Sequence, residues 1–194
     1  MSNATTIALM YDFDKTLTTK DQQEYTFIPG IKKSAEQFWT QSNDLARDKK
    51  MDRVLAYMHC MLREARYNEV KISRGAFVEY GKDLEYYPGV MEWFDRIDTY
   101  CEEMGVNVEH YIISSGLREI IEGSVLSHKF KEVFACEFHY DADGVAIWPK
   151  NVVNYTTKTQ FVYRINKGVL DIVGVMSGIL GLATSITGFC EKEK

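Results

Sequence analysis

Two aspartates one residue apart, Asp12 and Asp14, follow the uninterrupted apolar run Ile7 to Tyr11 in the string IALMYDFDKT. A strand that empties into such a turn sets both carboxylates at the carboxyl edge of a sheet, where open α/β folds bind ligands. In that turn residues i and i+2 can point into one crevice, and two like charges there call for a cation or a raised pKa. One carboxylate can attack as a nucleophile while the other serves as an acid. A Mg²⁺ ion takes one or two carboxylates plus phosphate oxygens, so the pair suits metal-assisted phosphoryl transfer. The bland alternative is a solvated turn whose aspartates cap the next helix.

The elements that must position this pair follow from periodicity. Ile7 to Tyr11 reads as a buried central strand of a parallel sheet. Lys20 to Tyr87 is polar and helical, with an amphipathic helix from Met51 to Arg66 through Val54, Leu55, Met58, Met61, Leu62 and Ala65, and an N-cap at Ser73. After Pro88-Gly89, the stripe Val90, Trp93, Phe94, Ile97, Cys101 and Met104 predicts a helix closed by Gly105. Val108 to Ile113 reads as a second strand ending in Ser114-Ser115-Gly116, before a helix at Leu117 to Leu126. This is the βαβ grammar of an α/β domain. Phe134 to Tyr140 and Val145 to Trp148 flank Asp141-Ala142-Asp143-Gly144, an Asp-Gly hairpin signal. Thr156 to Asn166 returns to helical spacing.

The 194 residues are 45% hydrophobic and 26% charged, which excludes disorder, collagen and coiled coil. The net charge of −5 gives no attraction to a phosphate backbone or an anionic membrane, so nucleic-acid binding is disfavoured. Cys60, Cys101, Cys136 and Cys190 show no CxxC spacing and read as buried thiols of a reducing, cytoplasmic chain. The N-terminus carries no signal-peptide pattern. His59, His110, His128 and His139 lie at no ligand spacing, and Lys32-Lys33 and Lys49-Lys50 read as solvated charge runs. The stripe Tyr57, Met58, Met61 reads as core.

These strings resemble the haloacid dehalogenase-like superfamily, most closely its phosphoserine-phosphatase-like branch. The first motif, an apolar strand followed by DxDxT, is matched by Ala8 to Thr16. The second, a strand ending in Ser or Thr, is matched by Tyr111-Ile112-Ile113-Ser114, with Ser115-Gly116-Leu117-Arg118 resembling the phosphatase branch. The third, a lysine ahead of a helix, is matched by Lys158, with Lys167 in reserve. The resemblance implies a Rossmann-like parallel sheet with an inserted helical cap, and hydrolysis of a small phosphomonoester through an aspartyl-phosphate. By it, Asp12 is the nucleophile, Asp14 the acid and base, Ser114 a phosphate ligand and Lys158 the counter-charge. Ser115, Gly116 and Arg118 are implied in substrate binding. Mg²⁺ would bind an Asp12 oxygen and the backbone carbonyl of Asp14. The partner expected is a small phosphorylated metabolite. Dehalogenases lack an acid at the second aspartate, so Asp14 argues for phosphatase or phosphomutase.

The implied organisation is core at residues 1–20, cap at 21–87, core at 88–172 and an atypical apolar tail at 173–194. The family's fourth motif, a strand ending in an acidic pair such as GDxxxD, does not occur, so the C-terminal part of the core is expected to be missing. Without it the first strand would become an edge. Three readings of the tail stay open: an out-of-frame translation, a truncated homologue that binds phosphorylated ligands without turning them over, and a tail anchor. For the anchor, Ile172 to Cys190 holds nineteen uncharged residues and Gly174-xxx-Gly178 suits helix pairing. Ser177, Thr184, Ser185 and Thr187 weigh against it.

Overall fold

A computed structural model of the chain describes residues 5–168 and Leu170. The expectations for the tail, including Cys190 and the Gly174-xxx-Gly178 pair, lie outside the described residues. The chain divides into two compact units, Met1–Lys158 and Thr159–Lys194. In the second, the Arg164 guanidinium donates to the Leu170 carbonyl and lies 5.3 Å from the centroid of the Phe161 ring.

The first unit is built on a sheet of order β1-β2-β3-β4. Its strands are β1 (Thr6–Tyr11), β2 (Asn107–Leu117), β3 (Glu132–Tyr140) and β4 (Ala146–Asn151). β1, β2 and β3 run parallel, and β4 returns antiparallel through the hairpin expected at Asp141 to Gly144. There the Asp141 side chain accepts from the N–H groups of Asp143 and Val145, while Gly144 takes φ +72°.

Of the two expectations for β1, the edge position is met among the described residues and the buried, central one is not. The strand reads in sequence as buried and central, yet among the described residues it pairs with β2 alone and is exposed or half-buried along its length. An apolar run reports burial only when both faces of the strand are covered, and among the described residues β1 also has a neighbour on one edge alone. The far end of β1 is nevertheless anchored. The Tyr11 hydroxyl is hydrogen-bonded to His110 Nδ1 at 2.9 Å and accepts from Trp93 at 3.1 Å, and His110 Nε2 is bonded to Asp98 at 2.8 Å. Trp93 and Asp98 lie on α5 (Val90–Glu103), whose Phe94 is fully buried against Tyr11, His110 and Phe130. One buried Phe of this kind contributes roughly 1.5–3 kcal/mol.

Between β1 and α5 the chain forms a 3₁₀ turn (Gln22–Glu24) and helices α1 (Phe27–Gly30), α2 (Ala35–Lys49), α3 (Arg53–Tyr67) and α4 (Arg74–Tyr80). Ser34 opens α2 with a capping box shared with Gln37, and Lys50 closes it in the left-handed region. Asp52 caps α3 through the N–H groups of Val54 and Leu55, and Ser73 caps α4 as expected. The edge-to-face series Phe27, Phe38, Trp39, Tyr57 ties α1, α2 and α3 together. The segment leaves and rejoins the sheet through one antiparallel stem, with Thr19 N–H on Glu85 O and Tyr87 N–H on Leu17 O, both at 3.0 Å.

Lys33 is a second correction. Its ammonium lies 2.8 Å from the buried Glu64 carboxylate instead of lying on a solvated face. Burial pushes Glu64 up, but hydrogen bonds from Lys33 and Gln41 outweigh it and hold the carboxyl below its ordinary value. The helix expected over Leu117 to Leu126 is shorter, α6 (Arg118–Glu122), because β2 runs on through an irregularity to Leu117. Cys60, Cys101 and Cys136 are buried free thiols. Among the described residues no helix is long and apolar enough to cross a membrane.

Candidate active site

The DxD turn begins where β1 ends. Phe13 is fully buried, so its flanking residues Asp12 and Asp14 are directed away from the core that holds it. The turn closes on the Phe13 carbonyl, which accepts from the N–H groups of Thr16, Leu17 and Thr18, and Lys15 lies in the left-handed region at φ 56°. A non-glycine residue there costs about 1 kcal/mol, held by the surrounding bonds.

The parallel register Tyr11↔Ile112 places the ends of β1 and β2 side by side. Asp12 therefore sits next to the loop that carries Ser114, Ser115 and Gly116. Asp12 is exposed; its Oδ1 accepts from Phe13 N–H at 2.8 Å and its Oδ2 lies 2.7 Å from Lys158 Nζ. Lys158 is placed by the start of α7 (Tyr155–Asn166). Asn154 and Thr157 exchange side-chain and backbone bonds at 2.9 Å, and Asn154 Nδ2 donates to Asp52 at the cap of α3. The reserve lysine, Lys167, instead has its ammonium over the Tyr163 ring.

Ser114 is fully buried, and its Oγ accepts from Gly116 N–H at 2.9 Å. Its hydroxyl proton is thereby left for another acceptor. The Ser115 carbonyl accepts from Tyr57 at 2.6 Å and from the Cys136 thiol. Tyr57, expected as core, is buried but also tethers α3 to this loop.

Asp14 is half-buried, and both of its oxygens face Gln22, with contacts of 3.1 Å from Gln22 N and 3.3 Å from Gln22 Nε2. Burial pushes its carboxyl up to about 7, with the Asp21 charge adding, the Gln22 bonds opposing and the Asp12 charge adding a little. A carboxyl so poised can give and take a proton near neutrality. Asp21 is itself ion-paired with Lys15.

Arg118 is not brought into this arrangement. Its guanidinium is engaged by Glu122 at 2.8 Å, Glu132 at 3.0 Å and the Val133 carbonyl at 3.1 Å. Its donors brace α6 against the start of β3, which leaves Arg118 outside the group of side chains that meets at Asp12. Conversely Gln22 escaped the sequence reading: it stood in a polar stretch with no periodicity, and only its contacts set it apart.

Among the described residues no three His, Cys, Asp or Glu side chains cluster to hold a metal. The donors implied by the resemblance are the exposed Asp12 carboxylate, whose oxygens here also meet Phe13 N–H and Lys158, and the Asp14 main-chain carbonyl. That sparse set fits Mg²⁺, which keeps waters and substrate phosphate oxygens in its shell and needs few protein ligands.

Comparisons with known proteins bear on the fold and the family. An uncharacterized protein of Borreliella burgdorferi is 26% identical across 84% of this chain, which spans 65% of that relative's length. In fold, the chain is similar to a HAD family hydrolase of Salmonella enterica serovar Typhi, with TM-score 0.58, 15% identity and coverage of 86% of this chain and 52% of the other. It is also similar to a phosphoserine phosphohydrolase-like protein of Francisella tularensis, with TM-score 0.56, 19% identity and coverage of 87% and 74%. A sequence profile matches residues 9–158, from inside β1 to the lysine that meets Asp12, and by that match the chain belongs to the haloacid dehalogenase-like hydrolase family.

Proposed function

We propose that the chain hydrolyses a small phosphomonoester in two steps through an aspartyl-phosphate on Asp12. The observation that carries this reading is the meeting of Asp12 with Lys158 at 2.7 Å, beside the loop of Ser114 and in the same turn as Asp14, whose carboxyl burial pushes up to about 7. An Asp12 oxygen forms the new bond to phosphorus as the bond to the leaving oxygen breaks, and Asp14 gives that oxygen its proton. Asp14, now ionised, takes a proton from water as the water oxygen attacks phosphorus. Phosphate departs, Asp12 is restored as a carboxylate and Asp14 is again protonated. Ser114 donates to a phosphoryl oxygen, and Lys158 offsets the summed charge of nucleophile and phosphate. Mg²⁺, held by the Asp12 carboxylate and the Asp14 carbonyl, would neutralise charge on the phosphoryl oxygens.

The helical segment at residues 21–87 acts in this reading as a cap that excludes water, tethered by the Tyr57 bond to Ser115 and the Asn154 bond to Asp52. The free thiols Cys60, Cys101 and Cys136 support a reducing compartment such as the cytoplasm.

A chromogenic aryl phosphate with added Mg²⁺ tests the proposal. Turnover is expected, and excess chelator should remove it by about 10²-fold or more, with recovery on returning Mg²⁺. The lack of a GDxxxD string in the sequence keeps one competing reading, a homologue that binds phosphorylated ligands without turning them over. Binding of phosphate analogues without hydrolysis would establish that reading instead. Lys158→Met is expected to lower kcat by about 10²–10³-fold, the scale of losing one charge stabiliser, and retention of full activity would remove Lys158 from the site.

A further inference from the structure

Gln22 lies between the two loops that carry the proposed reacting groups. It is 1% exposed, in the first position of the 3₁₀ turn Gln22–Glu24. Its Nε2 is 3.3 Å from each carboxyl oxygen of Asp14, and its own main-chain N–H donates to Asp14 Oδ1 at 3.1 Å. On its other side the Leu117 N–H donates to Gln22 Oε1 at 3.0 Å. That bond decides which way the amide faces, since only the oxygen can accept it, and the NH₂ is left pointing at Asp14. Gly116 completes the fit: a Cβ there would lie 1.8 Å from Gln22 Nε2 and 2.6 Å from Asp14 Oδ2.

We infer that Gln22 is a positioning residue for proton transfer, fixing the Asp14 carboxyl against the Ser114-to-Leu117 loop so that its proton is aimed at the leaving oxygen. The inference rests on the phosphatase reading above. A carboxyl turns about two soft torsions, and donors on both oxygens leave it one orientation. An error of about 1 Å in such a group can cost about 10²-fold in rate. The same amide bridges the β1 turn to the β2 loop, so the acid and the phosphate-binding serine are held in one frame.

The test compares kcat/KM, which reports the steps through phosphorylation of Asp12, on the full chain with Mg²⁺. The substrates run from 2,4-dinitrophenyl phosphate, whose anion leaves without a proton, to phenyl phosphate, whose oxygen needs one. Gln22→Ala and Gln22→Glu should each lose about 30-fold on phenyl phosphate and under about threefold on the dinitrophenyl ester. Gln22→Glu keeps the acceptor for Leu117 N–H, so it separates lost aim from lost folding. In an Asp14→Asn background neither change should steepen the leaving-group dependence further. Equal losses on both esters, no loss, or an additional loss in the Asp14→Asn background would overturn the inference. If Asp14→Asn is selective and the Gln22 variants are not, only the role of Gln22 falls. If Asp14→Asn is unselective, or the unmodified chain hydrolyses neither ester, the underlying reading falls with it.

Discussion

Replacing Asp12 by Asn is expected to lower phosphomonoester turnover by about 10⁴-fold or more, because it removes the nucleophile and with it the covalent route. The change is small in every other respect. Asp12 is exposed, and its pair with Lys158 is partly solvated, with side-chain exposures of 45% and 25%. Such a pair is worth at most about 1 kcal/mol to stability. The variant should therefore melt within a few degrees of the unmodified chain. Acid quenching during turnover should leave one phosphoryl group on the unmodified chain, released by hydroxylamine as expected of an acyl phosphate, and none on the variant. Turnover that survives the substitution would dismiss Asp12 as nucleophile.

The second large effect is a pH dependence carried by Asp14. Burial, with the Asp21 charge behind it, pushes this carboxyl from an ordinary 3.8 up to about 7. As the acid of the first step it must be protonated, so kcat/KM for an ester with a poor leaving group should fall about tenfold per pH unit above that value. Asp14→Asn should lower the rate on such an ester by about 10²–10⁴-fold and remove the falling limb. Stability moves with the same proton. The folded-state pKa lies above the unfolded one, so the folded chain binds more protons between the two values. The stability this group contributes is complete below about 3.8 and is lost as pH rises through about 7. Asp14→Asn carries no such loss, and should gain on the unmodified chain by about 1–4 kcal/mol between acid and neutral pH. Urea denaturation on the two sides of that window reads the difference. A gain that does not change with pH would show that Asp14 titrates as an ordinary carboxyl.

Much of the fold was legible because its signals are local. The Val90-to-Met104 stripe and Gly105 foretold α5, the Asp-Gly turn foretold the β3–β4 hairpin, and Ser73 foretold the cap of α4. Each depends on a few neighbouring residues and a fixed period. The misreadings were non-local. The apolar run of β1 by itself points to a central strand, since it carries no record of how many partners it has, and only the absent fourth motif pointed to an edge. Lys33 was read as solvated because its partner, Glu64, lies 31 residues away in sequence on another helix. The partners of Arg118, implied in substrate binding by its place after Ser115-Gly116, were likewise invisible in sequence: its guanidinium meets acids on α6 and β3.

The amino-acid sequence by itself determined the chemistry available: an apolar strand, two carboxylates two apart, a strand ending in serine and a lysine ahead of a helix. These are properties of residue type and short spacing, and they carry the family. Only the tertiary structure decided how that chemistry is tuned. It set Lys158 against Asp12, engaged Arg118 with Glu122 and Glu132, and set Gln22 and Gly116 against Asp14. Protonation near neutrality needs desolvation, nearby charge and oriented donors at once. Those come from groups that the fold brings together, such as the Asp14 carboxyl and the Leu117 main-chain N–H meeting across Gln22, and no local pattern encodes which of them will meet.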